Sequence, residues 1–167
     1  MQERRRPLTI HVSTGEGVGS TRLAAFDAAL QQAGAADLNL IPLSSIIPPI
    51  ATIVEGPLPS RSAGFGDRLY CVLASQTTSE SKDRASAAIG WVQAVDGRGL
   101  FAEAHGNDPE EVAAIVRATL IDMTGRRSEQ KWGEIHISQA TTDRCDGTPV
   151  AAVAIAAYGT AQWEPSW

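Results

Sequence analysis

The sequence predicts an α+β fold with two helices and a larger number of strands in a single domain. The chain has 167 residues, a length that suits one domain with its own core. Its apolar pattern changes in the order strand, helix, several strands, helix, two strands. Because strands outnumber helices and follow one another in runs, layers of sheet and helix are favoured over a doubly wound parallel sheet.

The N-terminal part predicts a strand, a glycine-rich loop, a helix and a second strand. Residues 8–12 alternate apolar and polar side chains, as a half-buried strand does. Residues 15–20 carry three glycines and predict a flexible loop. The first helix is predicted over residues 21–33, and the second strand over residues 38–43. The predicted buried stripe of this helix consists of Leu23, Phe26, Ala29, Leu30 and Ala33.

The middle of the chain predicts a loop followed by a strand and a hairpin. Residues 51–66 are rich in Gly, Pro and Ser, which is typical of a loop. Residues 67–75 form an apolar run that indicates a buried strand. Residues 85–95 and 100–104 predict two strands joined by a hairpin turn at residues 97–99.

The second helix is predicted to begin at Asp108, because aspartate caps helices and Pro109 suits the first helical position. Gly125 is expected to end it. Residues 132–140 and 150–158 predict two further strands. The predicted buried stripe of the second helix consists of Val112, Ile115, Val116, Thr119, Leu120 and Met123.

Composition restricts the classes of partner. The net charge is −5 and the basic runs are short, so a nucleic-acid partner is not expected. No stretch approaches the roughly 20 apolar residues of a membrane helix, so no membrane contact is expected either. Cys71 and Cys145 make no disulfide framework, which favours the cytoplasm. The three histidines lack metal-binding spacing, so we expect no metal ion.

Gly15, Gly17 and Gly19 lie between a predicted strand and a predicted helix, which is the setting of a phosphate-binding loop. Their spacing does not fit G-x-G-x-x-G, and no Gly-Lys-Ser/Thr follows them. We therefore interpret them as glycines that allow a positive φ or a close approach of two backbone segments.

Ser44 and Ser45 form an unusual polar pair, because they end an apolar strand and run into Ile-Ile-Pro-Pro at residues 46–49. These flanks indicate burial, and a buried hydroxyl needs a partner or a chemical role. A serine hydroxyl in a strained turn can attack the preceding carbonyl and convert the amide into an ester. Three other polar residues are of interest. Taken alone, Asp27 is interpreted as an exposed acid on a helix, and Asn39 and Glu103 as strand residues whose side chains face outward.

Residues 15–49 resemble the pyruvoyl-dependent arginine decarboxylase family, and a looser resemblance continues through residues 69–74, 85–95 and 102–104. The most specific part is Asn39-Leu40-Ile41-x-Leu43-Ser44-Ser45-Ile46-Ile47-Pro48-Pro49. It is accompanied by Gly17-x-Gly19-x-Thr21-x-Leu23-x-Ala25-Phe26-Asp27-x-Ala29-Leu30.

The resemblance implies that residues 1–167 form one αββα layered sandwich that assembles as a homotrimer with active sites between subunits. It also implies self-cleavage between Ser44 and Ser45, which yields a β chain of residues 1–44 and an α chain of residues 45–167. In the family's scheme the Ser45 hydroxyl attacks the Ser44 carbonyl. Elimination and hydrolysis then leave a covalent pyruvoyl group at position 45.

The resemblance further implies conversion of L-arginine to agmatine and carbon dioxide through a Schiff base to the pyruvoyl group. Glu103 matches the family's proton donor. Asn39 matches the amide that assists processing and holds the substrate near the reacting carbon. Asp27 matches the acid that pairs with the guanidinium, a planar group that a carboxylate can bind with two hydrogen bonds.

Two alternatives stay open at this point. Residues 54–66 are only loosely similar to the family, and the tail after Tyr158 carries no motif, so another amino acid could be the substrate. The other alternative is a non-processing trimer that binds a small molecule or has a structural role. It is disfavoured by four side chains that occur together, Ser44, Ser45, Asn39 and Glu103.

Overall fold

A computed structural model describes residues 7–59 and 63–164. It confirms the α+β class, with two helices and nine strands in the described residues. Their bounds are β1 (Leu8–Val18), α1 (Arg22–Ala33), β2 (Asn39–Pro42), β3 (Ile46–Ile47), β4 (Ala51–Glu55), β5 (Arg68–Thr78), β6 (Ser86–Gln93), β7 (Gly99–Gly106), α2 (Pro109–Gly125), β8 (His136–Thr141) and β9 (Val150–Ala161). Within the described ranges, neither helix is both long and apolar enough to span a membrane.

The strands form two sheets. The five-stranded sheet has the order β2-β5-β9-β1-β4, and the four-stranded sheet has the order β3-β7-β6-β8. Pairing is parallel between β1 and β4 and between β2 and β5, and the other pairings are antiparallel. Each parallel pair needs a crossover connection: the segment from α1 to β3 joins β1 to β4, and β3 and β4 lie between β2 and β5 in the chain.

Each sheet buries two faces. Helix α1 covers one face of the five-stranded sheet, in a cluster that includes Ala25, Ala29, Ala33, Val153 and Ile155. The opposite face of that sheet meets the four-stranded sheet in a cluster that includes Ile10, Val12, Val72, Ile89, Phe101 and Ala154. Helix α2 covers the far face of the four-stranded sheet through Val112, Val116 and Leu120. Because both sheets are covered on both sides, their central strands are nearly continuous apolar runs.

The glycine segment is a strand rather than the predicted flexible loop. Residues 15–18 continue β1 and pair with β9. A Cβ atom at Gly15 would overlap the carbonyl oxygen of Ala29, and one at Gly17 would overlap the carbonyl oxygen of Ala25. The glycines therefore allow α1 to lie close against β1, which is one of the two roles that the sequence suggested for them.

The buried face of α1 also differs from its predicted stripe. Leu23 is 76% exposed and Phe26 is only partly buried. Since the glycines of β1 bring the helix backbone close to the sheet, small side chains fill most of the contact. The buried residues of this helix are Ala25, Ala29, Leu30 and Ala33. On α2, Ile115 likewise lies outside the buried face and is 45% exposed.

The segment predicted as a loop over residues 51–66 begins with a strand. Its first residues form β4, which pairs in parallel with the start of β1. Thr52, Ile53 and Val54 are β-branched and suit a strand, but the Gly and Pro content of the whole segment outweighed them in the prediction. Strand β8 begins at His136, later than predicted, and Trp132 makes only an isolated bridge with Ala94.

Candidate active site

Ser45 and Glu103 lie in direct contact. The Ser45 hydroxyl donates a hydrogen bond to Glu103 Oε2 over 2.9 Å. Ser45 immediately precedes β3, and Glu103 lies in β7, the strand with which β3 pairs. The antiparallel pairing therefore brings a serine hydroxyl beside a carboxylate. A carboxylate in this position can accept the hydroxyl proton or hold the hydroxyl in one orientation.

The backbone of Ser45 is held in an uncommon conformation. Its φ angle is +44°, in the left-handed region that few residues other than glycine adopt. Such a conformation costs on the order of 1–3 kcal/mol and persists only when the surrounding contacts impose it. One such contact is the hydrogen bond from the Phe101 backbone N–H to the Ser45 carbonyl oxygen, at 2.8 Å. A second is the ladder that pairs Ile46 with Leu100.

The two serines differ in burial. Ser45 is half-buried, whereas Ser44 is exposed. The apolar flanks of the pair predicted burial for both, and for Ser44 this is wrong. The reason is that the chain leaves the edge of one sheet at Pro42 and enters the edge of the other at Ile46, so the connection runs over the surface.

Alternation along β7 explains why Glu103 is both in the site and exposed. Phe101 is fully buried between the sheets, while Ala102 and Ala104 pack toward α2. Glu103 shares the side of Phe101, because every second residue of a strand points the same way. Strand β3 pairs only with residues 99–100 of β7, so beyond them β7 is an edge and the Glu103 side chain reaches solvent.

Tyr158 is a site residue that the sequence reasoning missed. Its hydroxyl donates a hydrogen bond to the carbonyl oxygen of Ile46 over 2.7 Å, directly after Ser45. Burial raises the pKa of Tyr158, and the negative charge of Glu103 raises it further. The available signal was a tyrosine at the end of a buried run of small apolar residues, since a buried tyrosine hydroxyl usually finds a partner.

Asn39 lies at the start of β2, in the strand that leads toward Ser44. Its side-chain amide donates to the carbonyl oxygen of Gly66 over 2.6 Å. The same carbonyl accepts a second hydrogen bond from the indole N–H of Trp163, at 2.9 Å. The Arg68 guanidinium stacks over that indole at 4.8 Å. The amide of Asn39 is thus oriented by the Gly66 carbonyl in the turn before β5, and the C-terminal segment contacts the same carbonyl through Trp163.

Asp27 lies on the exposed side of α1. Its carboxylate accepts a long hydrogen bond of 3.5 Å from the side chain of Gln31, one helical turn later. Within residues 7–59 and 63–164, the hydrogen bonds of a single chain join Ser45 to Glu103 and do not join Asp27 or Asn39 to that pair.

A cavity of about 520 Å³ opens beside the C-terminal end of α1. Among its lining residues are His11, Gln31, Asp37, Leu58 and Tyr158. Neither Ser45 nor Glu103 lines it, although a concave pocket is the usual place for a small ligand. The serine–carboxylate contact brings a nucleophile and an acid–base group within hydrogen-bond distance, which a cavity alone does not supply.

Comparison with known proteins relates the chain to one family. Residues 9–163 match the family described as pyruvoyl-dependent arginine decarboxylase (PvlArgDC). A pyruvoyl-dependent arginine decarboxylase of Halobacterium salinarum is 35% identical over 153 residues, which cover 90% of this chain and 93% of the relative. The corresponding protein of Methanococcoides burtonii is 34% identical over 139 residues, 77% of each chain. That of Methanopyrus kandleri is 32% identical over 145 residues, 87% of this chain and 92% of the relative.

These matches confirm the resemblance first seen at residues 15–49, and they extend it over nearly all of the described strands and helices. The name of the family implies a covalently bound pyruvoyl cofactor. The chain belongs to the pyruvoyl-dependent arginine decarboxylase family.

Proposed function

We propose that this chain is a self-processing decarboxylase that converts L-arginine to agmatine and carbon dioxide. The observation that carries the proposal is the 2.9 Å hydrogen bond between Ser45 and Glu103 at a residue with a positive φ angle. Three curated relatives are each named pyruvoyl-dependent arginine decarboxylase, and that name indicates the proposed substrate and reaction type.

We propose that the chain cuts itself between Ser44 and Ser45. The Ser45 hydroxyl adds to the Ser44 carbonyl carbon, and the peptide C–N bond breaks as the ester C–O bond forms. The strained conformation of Ser45 favours this exchange, because the ester relieves the constraint on its amide nitrogen. β-Elimination then removes the Ser45 Cα proton together with the Ser44 carboxylate, which frees residues 1–44 as the β chain and leaves dehydroalanine at position 45. Water replaces the nitrogen of this residue, which leaves as ammonia, and the α chain of residues 45–167 then begins with a pyruvoyl group.

The residues around position 45 fit a pyruvoyl group made from Ser45. The Ser45 carbonyl, which would stay in the α chain, is already held by the Phe101 N–H. When formed, the group supplies a carbonyl that binds the substrate amine and takes up the electrons released with carbon dioxide. Glu103 lies beside the same position and reaches solvent, so substrate can approach it.

We assign proton transfer to Glu103. Its Oε2 atom lies at hydrogen-bond distance from the Ser45 side chain, so a proton held there is close to any substrate bound at position 45. Glu103 would deliver this proton to the substrate carbon that loses carbon dioxide. The Ser45 hydroxyl is consumed in a single processing event, and turnover begins afterwards. Its hydrogen bond to Glu103 therefore does not interfere with proton transfer by Glu103 during turnover.

We assign substrate binding to Asn39 and Asp27. The Asn39 amide is held in one orientation by Gly66, which suits a group that must place a substrate or the scissile peptide. Asp27 offers an exposed carboxylate whose contact with Gln31 is weak, so it is free to bind a guanidinium through two hydrogen bonds. These two assignments come from the resemblance of residues 17–49 to the family.

We propose that residues 1–167 form one αββα sandwich domain that works as a homotrimer with its active sites between subunits. Three observations support an incomplete site in the single chain. Ser45 and Glu103 lie outside the 520 Å³ cavity. Asp27 is exposed on α1 and makes no hydrogen bond to either of them within the described residues. Large apolar side chains near the start of α1, Val18 and Leu23, are 63% and 76% exposed.

The decisive experiment combines intact-mass spectrometry of the purified chain with an assay for agmatine from L-arginine. Two fragments divided between Ser44 and Ser45, with agmatine formed, would support the proposal. Fragments without agmatine would support self-cleavage but exclude L-arginine as the substrate. A screen of other amino acids would then identify the substrate. A single full-length mass after long incubation would reject the proposal in favour of a non-processing binding protein.

A further inference from the structure

We infer that Tyr158 positions residue 45 for both self-cleavage and turnover, by holding the carbonyl group of Ile46. This inference rests on the proposed function and adds a residue to its machinery. Tyr158 would not touch the substrate or transfer a proton to it. Its role would be to fix the peptide that follows the reacting residue.

Tyr158 joins the two sheets at the point where the chain is to be cut. It lies in β9, at the centre of the five-stranded sheet, and its hydroxyl reaches the Ile46 carbonyl in β3, at the edge of the four-stranded sheet. The distance of 2.7 Å is that of a well-formed O–H···O hydrogen bond. This bond links strand β3, which is only two residues long, to the core between the sheets.

Two successive carbonyl groups are held by two neighbouring residues. The Ser45 carbonyl accepts from the Phe101 N–H, and the Ile46 carbonyl accepts from the Tyr158 hydroxyl. The rings of Phe101 and Tyr158 pack edge to face with their centroids 6.1 Å apart, and Phe101 is fully buried. The phenol is thus held by a fixed ring, so its hydrogen bond restrains the peptide without a large loss of side-chain freedom.

The restraint matters most after cleavage. In the uncut chain residue 45 is covalently linked to a neighbour on each side. In the α chain it is the first residue and is covalently linked only to Ile46. Chain ends are poorly ordered unless a contact fixes them. The Tyr158 hydrogen bond is such a contact, because it acts on the Ile46 carbonyl, one peptide away from the reacting atoms.

Tyr158 is suited to donate this bond and unsuited to supply a proton to the substrate. Burial, and then the charge of Glu103, raise the pKa of Tyr158 above the ordinary value of a phenol. The phenol therefore keeps its proton at neutral pH. That proton is directed to the Ile46 carbonyl oxygen, so the assignment of proton transfer to Glu103 is unaffected.

Substitution Tyr158→Phe tests the inference, because it removes the hydroxyl and keeps the ring that packs on Phe101. The matched control is Tyr70→Phe, which removes the hydroxyl of the second of the two tyrosines in the chain, in the same sheet. Four quantities are measured on the whole protein: the rate of cleavage by intact mass, the kcat and the KM of the cleaved enzyme, and the midpoint of thermal unfolding.

We expect Tyr158→Phe to slow cleavage and to lower kcat about tenfold each, the effect of losing one ordinary hydrogen bond in the transition state. We expect KM to stay within about twofold, since the hydroxyl does not contact substrate. Tyr70→Phe should match the wild type in all four quantities.

Wild-type rates of cleavage and turnover in Tyr158→Phe would overturn the inference and leave the proposed function intact. An effect confined to KM would also overturn it, because a substrate contact would then be indicated. So would a variant that fails to fold, since the hydroxyl would then serve the fold rather than one peptide. If the wild-type chain neither cleaves nor forms agmatine, the proposed function itself fails and the inference falls with it.

Discussion

Ser45 donates a hydrogen bond to Glu103 across a separation of 58 residues in the sequence. The contact depends on β3, a strand of two residues that pairs with the first residues of β7. A nucleophile and a carboxylate are thus brought together by one short ladder at the edge of a sheet. Since Glu103 is exposed and Ser45 is half-buried, substitution of these two side chains removes little buried apolar contact.

Ser45→Ala is expected to abolish both cleavage and decarboxylation. The alanine lacks the hydroxyl that would attack the Ser44 carbonyl and that would become the cofactor. The matched control is Ser44→Ala, which keeps the hydroxyl at position 45 and should still be cleaved. Intact-mass spectrometry and an agmatine assay report the two effects. Cleavage of Ser45→Ala at this bond would remove Ser45 as the nucleophile.

Glu103→Gln is expected to leave cleavage largely intact and to lower kcat by at least about a hundredfold, the usual scale for a lost general acid. The glutamine carbonyl oxygen can still accept the hydrogen bond from Ser45, but the side chain no longer provides an acidic proton. The measurement is steady-state kinetics on the fraction that mass spectrometry shows to be cleaved. Normal turnover in that fraction would exclude Glu103 as the proton donor.

Asp27→Asn is expected to raise the KM for arginine at least about tenfold, because the asparagine cannot make a charge-assisted pair with the guanidinium. Cleavage should be unchanged, since Asp27 makes no hydrogen bond to Ser45 within the described residues. Glu129→Gln, on the exposed segment after α2, removes the same charge away from the site and serves as the control. Equal KM values in the two variants would rule out the proposed contact.

Gly17→Ala is expected to lower the free energy of unfolding by at least about 2 kcal/mol, because the new methyl group would overlap the backbone of α1 at Ala25. Backbone atoms cannot move aside as a flexible side chain can. At Gly125, near the end of α2, an added Cβ meets no atom within 4 Å, so Gly125→Ala is the control for the same change. Urea unfolding gives the free energy of unfolding of both variants. Similar losses in the two variants would argue against close packing of α1 on β1.

The buried Cys71 thiol is expected to contribute a dependence of stability on alkaline pH. Burial raises its pKa from 9.0 to about 11. Between these values the unfolded chain loses the thiol proton while the folded chain keeps it, so stability present below pH 9 falls as the pH rises toward 11. Urea unfolding measures the free energies of unfolding of the wild type and Cys71→Ala. The difference between these two free energies at pH 8 should shrink as the pH rises from 9 to 11. A difference that stays constant would show that the thiol ionises equally in both states.

The sequence by itself determined the class of the fold and the family. Periodicity and capping residues located both helices, and Asp108 indeed accepts hydrogen bonds from the first turn of α2. These signals are local, because a helix satisfies its own backbone and its buried stripe recurs every three to four residues. The segment from Asn39 to Pro49 pointed to the family, and the matches over residues 9–163 confirm it.

Only the tertiary structure decided which residues meet. The strand at Gly15 and Gly17, the exposure of Leu23 and the contact of Tyr158 with Ile46 each depend on partners far along the chain. Glycines that precede a helix in the sequence predict a loop, and only the structure shows that the helix packs against them. The physical reason is that local conformational preferences change the free energy of folding by roughly tenths of a kcal/mol per residue, whereas close packing between layers changes it by far more.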